Sequence, residues 1–230
     1  MEVRKEVNNY KKVCCYCGSS ATTVDHVPSK VLLDEPYPKN LYTVECCRRC
    51  NNGFSQDEEF FAVLVECVKF QSFNPDDLSR PKVIKAITNS QKLIKSVQES
   101  VLVLRNGFIL INADNPKVQR VLSKLIRGHL RYESGLLLID TMYDLKLYCK
   151  SCCSKNFVDE FLRPMSTDLL SEVGSRALLK LGYDKRGCLT VPWVTIQKGN
   201  YEYCVAPDNS EIKILIGDYL MVDAKIKDDF

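Results

Sequence analysis

Hydrophobic and polar positions change period several times along the chain, and the changes mark out its elements. Ala21-Thr22-Thr23-Val24-Asp25 is a β-branched run that predicts a strand ending at His26. The stretch from Pro28 to Asn40, with Pro36 and Pro38, reads as loop. Leu41-Tyr42-Thr43-Val44-Glu45 alternates as a returning strand. Ser55-Gln56-Asp57-Glu58 has the Ser-x-x-Glu form of a capping box, and Phe60, Phe61, Leu64, Val65 and Val68 recur on one helical face behind it. The first segment is therefore expected to run strand, loop, strand, helix.

Past residue 70 the pattern is more varied. Asn74-Pro75-Asp76-Asp77 breaks the helix, and Val83, Ile84, Ile87, Ile94 and Val97 predict helical packing to about residue 99. Val101 to Ile111 is a hairpin candidate, with Asn106-Gly107 suited to a type I′ turn. A long amphipathic helix is expected from Asp114, as N-cap, to Gly135, with Val118, Val121, Leu122, Leu125, Ile126 and Leu130 inward. Another helix is expected over Ser166–Leu181. From Pro192 to Lys227 the alternation predicts an antiparallel meander, packed through Trp193, Ile196, Tyr201, Tyr203, Ile212, Ile214 and Ile216.

With 230 residues the chain can bury a substantial core, either as one large domain or as a small module joined to a larger one. Its 32 Lys and Arg against 29 Asp and Glu leave a net charge of +3, so a nucleic-acid surface would have to be a local patch. Lys82, Lys85, Lys92 and Lys95 form one basic stripe, a pattern that usually marks a solvated helix face. The N-terminus lacks an apolar leader and no later stretch is long enough to span a bilayer, which gives the expectation of a cytoplasmic protein with no membrane partner and reduced cysteines.

The cysteines carry the chemistry. Cys14-x-x-Cys17 and Cys47-x-x-Cys50 are two knuckles at the spacing that aims four thiolates at one tetrahedral zinc. Cys15 and Cys46 sit beside ligands without the right spacing. Between the knuckles lie Asp25 and His26, and Asn51 follows the last ligand. The chain has only two histidines. With zinc held by sulfur, His26 is left for acid–base chemistry, since its ordinary pKa of about 6.5 lets it take a proton from water near neutral pH. Asp25 and Asn51 are hard oxygen donors of the kind Mg²⁺ prefers. Lys30, Arg48 and Arg49 lie near the site in sequence and could contact phosphates. The second histidine, His129, falls on the apolar face of its helix and reads as packing or a buried hydrogen bond. Cys149 and Cys152, with Cys188 and Cys204, form at most a weak second zinc pattern.

Cys14-Cys15-Tyr16-Cys17-Gly18, Val24-Asp25-His26-Val27-Pro28, Asn40-Leu41 and Cys47-Arg48-Arg49-Cys50-Asn51 together resemble the HNH endonuclease family in its zinc-ribbon form. The likeness covers roughly residues 10 to 70, with Asn51 where the family's name has its second histidine. It implies an α+β chain whose N-terminal unit, residues 10–70, is a zinc-bound ββα-metal nuclease module. Residues 71–230 would be an accessory region for target choice, dimerisation or sensing. It further implies a metal-dependent nuclease with His26 as general base, Asn40 holding the loop behind it, and Mg²⁺ or Mn²⁺ at Asp25 and Asn51. DNA is the implied substrate, with RNA as an alternative, in bacterial defence or mobile-element biology. A homodimer or a defence-system partner protein fits that setting. A non-catalytic zinc module that binds nucleic acid or protein is the rival from a different class.

Overall fold

The computed structural model describes residues 12–138, 143–166, 181–185 and 187–227, and it is a mixed α+β structure. Strands β1 (Thr23–Val27) and β2 (Tyr42–Cys46) form an antiparallel hairpin in which Asp25 faces Val44 and His26 faces Thr43. Both strands lie within two residues of the expected ones. The intervening loop is more ordered than its prolines imply: a 3₁₀ turn at Lys30–Leu32 drives Leu32 and Leu33 into the main core.

A short helix α1 (Arg48–Gly53) precedes α2 (Ser55–Phe70). The expected capping box does not form. Phe54 is the N-cap, and the Ser55 hydroxyl donates back to the Asn52 carbonyl. The Glu58 carboxylate leaves the helix end for Lys124, because a buried ammonium is a stronger partner than an exposed backbone amide. From Phe60 to Val68 every residue of α2 is buried, so this helix is the central post of the molecule.

The helical stretch up to residue 99 is two helices, α3 (Pro81–Asn89) and α4 (Gln91–Gln98), because the Ser90 hydroxyl caps the second. Lys85, Lys92 and Lys95 are solvent-exposed, while Lys82 pairs with Glu35 at 2.9 Å. The hairpin of β3 (Val101–Val103) and β4 (Ile109–Ile111) forms as expected, but its turn is not type I′. Gly107 has φ +81° and Asn106 is not left-handed, since its side chain accepts from the Phe108 amide instead. Helix α5 (Pro116–Ser134) starts one residue later than expected: Asn115, not Asp114, caps it, accepting from Lys117 and Val118, because Pro116 fixes the first helical position.

Strand β5 (Tyr143–Cys149) joins the meander at its far edge, giving a five-stranded antiparallel sheet in the order β5-β12-β11-β10-β9 with β9 (Val194–Gln197), β10 (Tyr201–Val205), β11 (Glu211–Ile216) and β12 (Leu220–Ile226). Leu147, Val222, Ile214, Tyr203 and Val194 align across it. Tyr203 in that row meets α5, where its ring stacks on His129 at 3.9 Å. His129 is fully buried and shares a 2.8 Å hydrogen bond with Tyr201, as the packing reading of that residue expected. Leu215 and Met221 point the other way and pack on Val158 and Phe161 of α6 (Lys155–Phe161). A small sheet of β6 (Met165–Ser166), β7 (Gly182–Tyr183) and β8 (Leu189–Val191) completes the described structure. Apart from its end residues, the helix expected over Ser166–Leu181 lies outside the described residues. No described helix is long and apolar enough to cross a membrane.

Leu32, Leu33, Phe60 and Leu64 from the first seventy residues share one core with Leu122, Leu125, Tyr201, Ile212 and Val222 from the rest. Where α5 crosses the hairpin, Gly128 lets the two backbones approach. A Cβ there would lie 2.8 Å from Val27 Cγ2 and 3.1 Å from its Cγ1. Gly128→Ala is therefore expected to push the hairpin off α5 and lower stability by roughly 1–3 kcal/mol, the usual cost of overpacking. Denaturant unfolding of the full chain measures it, and an unchanged midpoint would show that the contact is slack.

Candidate metal centre and active site

The first knuckle is a tight turn. Gly18, at φ +71°, returns its amide to the Cys14 carbonyl at 3.0 Å, and the Cys14 amide meets the Ser19 carbonyl at 2.7 Å. The left-handed φ is one a glycine adopts without strain. The second knuckle is the start of α1, where Cys47 is the N-cap and its sulfur accepts from the Cys50 amide at 3.4 Å. The ligand atoms of Cys14, Cys17, Cys47 and Cys50 all lie within 4.8 Å of one another, with Cys17 and Cys47 sulfurs 3.7 Å apart. A tetrahedron of ~2.3 Å zinc–sulfur bonds has edges of about 3.8 Å, so the set can hold a zinc ion.

Electrostatics favour thiolates on part of the cluster. Hydrogen bonding by Ser19 holds Cys17 down to about 6, and the Cys50 amide lowers Cys47. Burial pushes Cys50 up, so full deprotonation of the four thiols needs the field of a cation among them. The flanking cysteines are not ligands. Burial pushes the Cys15 thiol up to about 12 while it donates to the Arg127 carbonyl, and Cys46 donates to the Cys47 carbonyl at 3.2 Å. Among the described residues no other group of three or more Cys, His, Asp or Glu comes together in this way, the Cys149–Cys152 pattern included. Cys204 is buried and donates to the Val191 carbonyl.

Alternation along β1 separates Asp25 from His26. Asp25 and Val27 face inward and are buried, whereas Val24 is exposed and His26 half-buried on the outer side. Burial is the main influence lowering the His26 pKa from its ordinary value; Lys30 adds to it, while Asp25 and the Tyr42 backbone carbonyl oppose. The neutral, base-competent imidazole is thereby favoured. Asn51 donates from Nδ2 to the Val24 carbonyl at 3.0 Å, tying α1 to β1 one residue before Asp25. Asn40 is exposed, and among the described residues its side chain forms no hydrogen bond, so nothing in the geometry ties it to His26.

The inner side of β1 holds what the sequence reading missed. Asp25 Oδ2 lies 2.8 Å from the ammonium of Lys124, which is 2 % exposed. That ammonium also donates to Glu58 and, at 2.9 Å, to the Ser29 hydroxyl. Phe54 and Tyr16 present their rings to it at 5.2 and 5.9 Å. The signal was present: Lys124 stands between Val121 and Gly128 on the apolar stripe of its helix, where a lysine requires a buried partner.

Lys30, Arg48 and Arg49 are all exposed, with Lys30 over the Tyr37 ring at 5.4 Å. A groove of about 660 Å³ between the second knuckle and α5 is lined by Tyr16, Cys50, Phe54, Arg120 and Arg127. Its cations are engaged within the protein: Arg120 pairs with Asp57 at 2.7 Å, and Arg127 donates to the Tyr16 carbonyl. The exposed Lys30, Arg48 and Arg49 are thus better placed than this groove to meet an anion. Against known proteins, no family model, curated protein or solved structure matches the chain.

Proposed function

We propose that the chain is an endonuclease of HNH type that hydrolyses phosphodiester bonds in nucleic acid, duplex DNA foremost, on a zinc-stapled hairpin. The observation that carries this reading is His26. It is half-buried, biased towards the neutral imidazole, and held on the outer face of a hairpin whose flanks are the two halves of a four-cysteine cluster. Zinc at those sulfurs would fix the hairpin and take no part in the reaction. His26 would remove a proton from the attacking water, and Lys30, Arg48 and Arg49 would meet the phosphates on either side.

The Mg²⁺ or Mn²⁺ implied between Asp25 and Asn51 fits the donors poorly. Asp25 is turned inward, 8 % exposed and already paired with an ammonium, while the Asn51 amide is bonded to strand β1. Water activation is therefore assigned to His26 alone, and a divalent ion, where used, is expected on the outer face.

Supercoiled plasmid incubated with the protein and Mg²⁺ or Mn²⁺ tests the reading through appearance of the nicked circle. Protein that binds DNA and never nicks it under any divalent ion would favour the non-catalytic zinc module. Cleavage of single-stranded RNA in preference to DNA would move the substrate assignment. The pH profile has a defined sign. A base must be unprotonated to act, and the His26 pKa lies below its ordinary value of about 6.5. Nicking should rise with pH below neutrality and be level by about pH 7; a rate still climbing through pH 8 argues for a different base.

A further inference from the structure

Three oxygens from three different segments converge on the Lys124 ammonium: it donates to the Ser29 hydroxyl of the turn after β1 at 2.9 Å and to Glu58 in the first turn of α2, and it forms an ion pair with Asp25 of β1 at 2.8 Å. The Ser29 hydroxyl in turn donates to Glu58, while Asp25 Oδ2 is held by the ammonium's charge without a hydrogen bond. All four residues are at most 8 % exposed. Two carboxylates and a hydroxyl around one positive centre, backed by two aromatic faces, form the kind of oxygen shell that a hard cation takes. Burying two carboxylates without such a cation would be costly, and the ammonium offsets part of that cost without any dissociable ligand.

We propose that the Lys124 ammonium is the resident cation of Asp25, occupying with Glu58 and Ser29 the place a divalent ion would take on the inner side of β1. Any hydrolytic metal of this chain then binds without Asp25. The inference rests on the nuclease reading only for its catalytic meaning, and its test uses no cleavage.

The test is Mn²⁺ binding to the zinc-loaded full chain, followed by loss of the free-ion electron paramagnetic resonance signal. Asp25→Asn in the wild-type background is expected to change Mn²⁺ binding by less than about two-fold, and this variant keeps the Lys124–Glu58 pair. Lys124→Met is expected to gain a Mn²⁺ site at least about ten-fold tighter than any in the wild type, and Lys124→Met/Asp25→Asn to lose it again. A loss of about ten-fold or more in Mn²⁺ affinity on Asp25→Asn alone would overturn the proposal, because Asp25 would then be a metal ligand in spite of Lys124. So would a folded Lys124→Met protein that gains no site. If Lys124→Met fails to fold, the Asp25→Asn result decides by itself. A wild-type protein that nicks no nucleic acid sinks the nuclease reading and leaves this outcome standing.

Discussion

Replacing Cys47 or Cys50 by Ser is expected to release about one zinc per chain and to unfold the N-terminal hairpin and knuckles. The small core around the cluster explains the scale. Cys14, Tyr16, Val27, Val44, Cys46 and Phe54 pack on one another beneath the sulfurs, with too little apolar surface to hold two knuckles closed unaided. Zinc binding to such sites contributes on the order of 10–16 kcal/mol in isolated zinc-finger peptides at neutral pH. The loss should stop near Phe54, because α2 is anchored in the larger core. Metal analysis gives the stoichiometry, and amide hydrogen exchange should show residues 12–27 and 42–54 losing protection while the Leu32–Leu33 turn, α2, α5 and the five-stranded sheet keep theirs. Wild-type protein prepared without chelators and found free of zinc would remove the metal centre from the account.

His26→Ala should reduce nicking by about 10²- to 10⁴-fold, the usual loss on removing a general base. Zinc content, solubility and DNA affinity should be nearly unchanged, since the ring is half-buried on the outer side of β1 and is not part of either core there, unlike Val27. The other histidine is a built-in comparison. His129→Ala removes a fully buried ring stacked on Tyr203 and bonded to Tyr201, so it should cost stability first and activity only through it. Wild-type cleavage by His26→Ala protein would reject the base assignment.

What the sequence made legible was local. The cysteine knuckles, hairpin, α2 and α5 each announce themselves through a spacing or a period confined to a few turns of chain. Tyr201, Tyr203, Ile212, Ile214 and Ile216 were recognisable as core because strand alternation is equally local. The errors arose where a distant partner outbid a local one. Glu58 has the spacing of a capping residue but bonds to Lys124, sixty-six positions away. Asp25, beside His26 in sequence, lies on the opposite side of β1 because strand side chains alternate, and the inward side brings it to Lys124. Asn115 displaced Asp114 as cap because the following proline fixed the register, which the dipeptide itself did reveal to a closer reading.

Helix α2 has obligations at each turn. Its first turn supplies Glu58 to the Lys124 shell; Glu66, midway, accepts from the Ser79 and Arg80 amides at 3.0 Å and so fixes the start of α3; and Gln71, just past its end, bonds both ways with Ile109 of β4, at 2.8 and 2.9 Å. A rod held at its beginning, middle and end, with every residue from Phe60 to Val68 buried, cannot rotate or slide without breaking polar contacts in several places at once. The break in sequence character near residue 70 is thus a boundary in composition and not in mechanics. A displacement of β4 or α3 is therefore expected to be felt, through α2 and Glu58, at the Ser29 turn after β1.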